Sequence, residues 1–169
     1  MRPIAACLTL ACLTLPLAAA SPEVPAPIAA SGQTLVAIVH AEGAQVYECK
    51  ADTAGKLAWQ FREPIATLLL NGKTVGQHYA GPTWEMADGS AITAKVAGKA
   101  PGATAQDIPL LKLEVVSRSG SGQLGSVATV QRLATKGGVA VGACGSAGAF
   151  LSVPYSADYA FYRKDVSLR

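Results

Sequence analysis

Short runs in which apolar and polar side chains alternate every second residue, separated by glycines and turn residues, fill the chain from Gly32 to Tyr162. No stretch holds a helical period beyond about ten residues. This confines the fold to sheet. Leu111, Leu113 and Val115 alternate with Lys112 and Glu114, the signature of a strand with one dry and one wet face. Tyr155, Ala157, Tyr159 and Phe161 alternate with Ser156, Asp158 and Ala160 in the same way. Runs at 35–40, 45–50, 58–62, 66–70, 74–79, 83–87, 90–97, 110–117, 127–133 and 155–162 read as ten strands. The expectation is a mainly β, single-domain antiparallel β-sandwich or barrel with Gly-rich loops at 98–106 and 137–148. Leu111, Leu113, Val115, Tyr155, Tyr159 and Phe161 are its predicted core.

The first residues constrain the compartment. Arg2, an apolar run from Ile4 to Leu17 and the small residues Ala18, Ala19 and Ala20 follow the order of an export signal, which predicts a cleaved signal peptide over residues 1–20. The run is shorter than the roughly 20 apolar residues that span a bilayer, and Pro16 interrupts it. A lipid-attachment box around Cys7 is the weaker alternative, because almost no apolar segment precedes that cysteine. The expected location is periplasmic or secreted, with no membrane partner once the signal is removed. Cleavage takes Cys7 and Cys12 and leaves Cys49 and Cys144, which an oxidising compartment favours joining as a disulfide. Residues 21–31, rich in proline, read as an extended spacer, and residues 32–169 as the folded β-rich domain. The formal net charge is +3, and basic residues are scattered among acids and apolar residues. No basic stripe interleaved with aromatics suggests nucleic acid as a partner.

The densest chemistry lies between Gly76 and Ser90, which hold His78, Tyr79, Trp84, Glu85 and Asp88. Asp88-Gly89 between two strand-like runs signals a two-residue hairpin turn with positive φ at both positions. That turn would set Trp84 opposite Thr93 and Glu85 opposite Ile92, so Glu85 shares a face with apolar residues and Trp84 shares one with Lys95. Such local conflict often marks a functional site; a four-residue turn that shifts the register is the alternative. His78, brought back across Gly81-Pro82, could meet Glu85 or Asp88 for acid and base work, or instead donate to a nearby backbone carbonyl. Arg132, on a strand flanked by neutral Gly-rich loops, is a further candidate pocket residue beside its surface reading.

Other signals fail on context. Gly120-Ser-Gly-Gln-Leu-Gly125 spells a dinucleotide fingerprint after a strand, but no acid lies between Glu114 and Asp158 to take a ribose hydroxyl, so it reads as a flexible hairpin loop. Gly-x-Ser-x-Gly is absent from the sequence. His40 and His78 have no metal-ligand spacing. No metal and no cofactor are expected.

Taken together, Gln45-Val-Tyr-x-Cys49, Gly76-x-His-Tyr-Ala-Gly-Pro-Thr-Trp84 with Asp88-Gly-Ser90, Ile108-Pro-Leu-Leu111, Val130-Gln-Arg132 through Thr135-x-Gly-Gly138, Cys144 and Tyr155-x-Ala-x-Tyr-x-Phe-Tyr162 resemble the secreted bacterial and fungal family catalogued as domain of unknown function 3455. The resemblance implies one exported β-rich domain and assigns no activity. The residues favour a domain that binds a small molecule, glycan or protein partner around His78, Tyr79, Trp84, Glu85, Asp88 and Arg132. The alternatives are an extracellular hydrolase or lyase using His78 with Glu85 or Asp88, and a structural envelope-interaction protein without a pocket.

Overall fold

The computed structural model describes residues 24–165. The expected signal peptide, Cys7 and Cys12 lie outside the described residues. Eight strands follow one another: β1 (Gln33–Ala51), β2 (Leu57–Leu70), β3 (Lys73–Tyr79), β4 (Thr83–Met86), β5 (Ala91–Ala100), β6 (Leu110–Ser119), β7 (Thr129–Gly137) and β8 (Phe150–Lys164). Each pairs antiparallel with its sequence neighbours, and β8 returns to β1, closing the sheet into a barrel. Closure removes the open edges that a sandwich of these strands would leave.

The ten predicted strands become eight because two expected breaks are bends. Residues 35–40 and 45–50 belong to one strand, β1, which curves at Gly43, opposite Ala66 of β2 and Tyr155 of β8. A Cβ on Gly43 would clash with the Ile65 carbonyl oxygen, so only glycine lets β2 cross this closely. Residues 58–62 and 66–70 likewise form β2, which continues unbroken through Pro64. Proline is tolerated there because β2 pairs with β3 only from Ala66 onward, so the earlier part of the strand has β1 as its single ladder partner. A bulge next to it, where Tyr47 pairs with Phe61, adds further curvature.

Five of the six predicted core residues are buried, and Val115 packs partly buried against them. One end of the barrel is filled. Leu68, Met86 and Phe161 meet Leu124 and Val127, which the β6–β7 loop inserts from outside the ladders. That loop contains the sequence expected to be a flexible hairpin loop, and it is instead anchored. The Asp88 carboxylate accepts the Gln123 N–H at 2.8 Å, and Ser90 Oγ accepts the Leu124 N–H at 3.2 Å.

The other end is covered by loops from the β5–β6 and β7–β8 connections. Asp107 ties them, accepting hydrogen bonds from the Gly137 N–H (2.7 Å) and from both N–H and Oγ1 of Thr104. Cys49 is bonded to Cys144, 95 residues away, which fixes the Gly-rich β7–β8 loop to β1. Ile28, read from sequence as part of the spacer, is fully buried against the outside of the barrel. Its carbonyl accepts the Gln131 side-chain N–H, so folded structure begins before Gly32.

Two stability measurements check this account. Gly43→Ala, which forces a methyl group onto a backbone carbonyl, is expected to cost more than about 2 kcal/mol in denaturant unfolding. Replacing Cys49 and Cys144 together by Ala is expected to lower stability by roughly 2–4 kcal/mol under oxidising conditions, and to leave no difference from the parent protein under reducing ones.

Candidate functional site

The β4–β5 hairpin decides which residues reach the interior. Its turn holds three residues: the Met86 carbonyl accepts the Gly89 N–H, and the Met86 N–H donates to the Ser90 carbonyl, both at 2.9 Å. Gly89 takes φ +80, while Asp88 stays out of the left-handed region. The arrangement matches a tight turn closed by a glycine bulge. Asp88 uses its carboxylate to accept the Ser90 Oγ–H and N–H, which stabilises the longer turn and holds its pKa below the usual carboxylate range. The two-residue turn expected from the sequence is therefore corrected by one position.

That single step turns every side chain of β4 over. Trp84 pairs with Ile92 instead of Thr93, and Glu85 pairs with Ala91 instead of Ile92. The conflict disappears: Trp84 is 1% exposed among Ile92 and Ala94, and Glu85 faces outward. On the outside, Tyr79 Oη donates to Glu85 Oε2 at 2.8 Å, a bond that raises the phenol's pKa. His78 and Trp84 form a cross-strand pair on the inner face. His78 is thus separated from Glu85 by the thickness of the sheet, and Asp88 is committed to the hairpin and the plug loop.

Inside, the His78 ring stacks on Trp84 at 4.4 Å and 14°, with Tyr159 4.9 Å from the histidine and edge-on to the indole at 5.3 Å. His78 Nδ1 lies 2.8 Å from the Thr83 carbonyl oxygen, so Nδ1 carries the proton and Nε2 presents a lone pair. Burial lowers the His78 pKa to about 4; the Thr83 bond opposes this and the charge of Arg132 adds to it. The imidazole is neutral at pH 7.

Arg132 reaches the same space from β7, its Nε donating to the Pro109 carbonyl at 3.0 Å. Tyr155 and Tyr159 bring their hydroxyls within 3.4 Å of each other, and burial pushes both phenols up. Gln45 of β1 is 2% exposed, and its Nε2 lies near Tyr155 without making a hydrogen bond of normal geometry. Trp84 Nε1 is also buried without a partner among the described residues.

Gln45, His78, Trp84, Arg132 and Tyr159 surround a cavity of about 620 Å3 inside the loop-covered end, bounded by Leu111, Leu113, Pro64 and Pro109 and rimmed by Val96 and Lys99. Of the residues singled out from sequence, the cavity gathers His78, Trp84 and Arg132 and excludes Tyr79, Glu85 and Asp88. Gln45 and Tyr159 were missed as site residues. An isolated glutamine between apolar neighbours in a strand was the available signal for the first, and core burial disguised the second. Among the described residues no cluster of three His, Cys, Asp or Glu side chains is arranged to hold a metal ion.

Comparison with curated proteins finds no match, and comparison with solved structures finds none. A family model described as a protein of unknown function, DUF3455, matches residues 30–74 and 69–163, which together cover every strand but the last residue of β8. The barrel, its disulfide and its interior cavity thus lie within the matched region, and the chain belongs to the DUF3455 family.

Proposed function

We propose that the protein is a binding module that takes one small organic molecule into the loop-covered end of its barrel. One observation carries this reading: a cavity of about 620 Å3 with mainly apolar walls, lined by the stacked His78 and Trp84 and by Gln45 and Arg132 from separate strands. The volume falls in the range of small-molecule sites, and eight strands leave an interior suited to side chains or to one small ligand. Export to the periplasm or medium accords with the disulfide and with a receptor for molecules met outside the cytoplasm.

The catalytic alternative receives less support. His78 has its Nδ1 proton on a backbone carbonyl in place of a carboxylate, and Glu85 and Asp88 are engaged elsewhere. A histidine with a pKa near 4 is a weak base, and no hydroxyl nucleophile is paired with it.

Two measurements test the site. A neutral apolar fluorophore such as N-phenylnaphthylamine is expected to gain emission on binding. Val96→Trp, at a 45% exposed rim position, is expected to weaken that binding by about tenfold or more while moving the thermal midpoint by less than about 2 °C. Absence of binding, or equal binding to the variant, overturns the reading. The second measurement follows the buried histidine. Because its pKa falls from 6.5 to about 4 on folding, the unfolded chain takes up the proton first as pH drops. Stability is full above pH 6.5 and declines toward pH 4 by on the order of 3 kcal/mol. His78→Gln is expected to remove this decline. Asp88 and Asp107, whose pKa values are depressed in the folded state, act in a lower window: their stabilisation is present above their ordinary pKa of 3.8 and fades as pH falls beneath it.

A further inference from the structure

The charged side chains that line the cavity are Arg62, Lys99 and Arg132, and no aspartate or glutamate lines it. Cations around an apolar concavity that lack a counter-charge are an electrostatic demand for an anion, and two of these three lack one among the described residues. Arg62 is already occupied, with Glu63 at 3.3 Å and the Phe150 ring beneath its guanidinium at 5.0 Å. Lys99 and Arg132 form no ion pair among the described residues. Arg132 is the more telling of the two because it is only half exposed and cannot shed its proton. Its Nε is fixed by the Pro109 carbonyl, while its terminal nitrogens have neither a carboxylate nor a carbonyl acceptor among the described residues. The guanidinium also lies beside the Tyr159 hydroxyl, and a group held in this way keeps terminal N–H donors for a carboxylate. Gln45 lines the same cavity, and its Nε2 has no hydrogen-bond partner among the described residues.

We infer that the occupant of the cavity is a small organic acid, with its carboxylate bound by Arg132 and its apolar body lying between Leu111, Leu113 and the Trp84–His78 stack. The inference rests on the binding reading above and narrows it to one ligand class. The walls decide against a small inorganic anion, since phosphate or sulfate would leave Leu111, Leu113 and Pro64 facing water. They decide equally against a sugar, whose many hydroxyls would meet few polar partners. Lys99, at the rim, adds attraction during entry and less to the bound state.

The test compares acids with alcohols of matched shape: decanoate against decanol, and naphthoate against naphthalenemethanol, at pH 7 and low salt. Trp59→Phe leaves Trp84 as the sole tryptophan, so quenching of its emission reports occupancy, and the rise of the thermal midpoint with ligand concentration gives an independent affinity. The acid of at least one pair is expected to bind about tenfold or more tighter than its alcohol, and Arg132→Gln is expected to abolish that preference. Lys99→Gln, on the exposed rim, is expected to slow association and reduce its salt dependence, a readout that stands even if the Arg132 variant folds poorly. Equal affinity for acids and alcohols overturns the acid assignment and leaves the pocket reading intact. A preference for acids that survives both substitutions overturns the assignment of Arg132. Failure of all four compounds and of the neutral fluorophore to bind sinks both readings.

Discussion

The ladder between the first and last strands is the constraint on which the rest of the molecule depends. It runs from Gln33 opposite Lys164 to Glu48 opposite Phe150 and converts a row of hairpins into a closed surface. Only a strand that bends can supply it. β1 does so at Gly43, where the absence of a side chain lets β2 pass almost in contact, and at the irregular pairings near Leu35 and Val46. Once the ends are joined, every inward side chain faces others across a common axis, and the interior must be filled or left as space.

The two ends resolve that choice differently. Toward the β4–β5 hairpin, Phe161, Leu68 and Met86 are joined by Leu124 and Val127 from a loop held by Asp88, so apolar volume is supplied from outside the sheet. Toward the opposite end, the covering loops contribute Ile108 and Val139 to the core and are tied to each other and to β1 by Asp107 and by the Cys49–Cys144 bond. Space persists beneath them, lined by stacked rings and by polar groups that lack partners. Tight packing elsewhere allows a barrel to sustain such a cavity, since the cost of the unpaired donors is small beside the burial of the core.

Much of this was legible in the chain. Alternation at Leu111–Val115 and Tyr155–Phe161 identified the inward residues of β6 and β8, because periodicity in a strand reports directly on facing. The cysteine pair followed from the expected compartment and from count. The number of strands was not legible, since Gly43 and Pro64 carry the same chemistry whether they end a strand or bend it, and only the partner across the ladder distinguishes the two. The cluster of His78, Glu85 and Asp88 dissolved for a related reason. Residues adjacent in sequence point to opposite faces of a sheet, and a turn one residue longer than expected exchanged which of Trp84 and Glu85 went inside.

The sequence by itself determined that the chain would form antiparallel sheet with an aromatic-rich interior, because two-residue periodicity and turn chemistry act over a few neighbouring positions. The tertiary structure alone decided that the sheet would close, that Gln45, Arg132 and His78 would meet from separate strands, and that the cavity between them would contain cations without a carboxylate. Those outcomes depend on strand curvature and register summed around the whole barrel, and no local stretch of the chain encodes that sum.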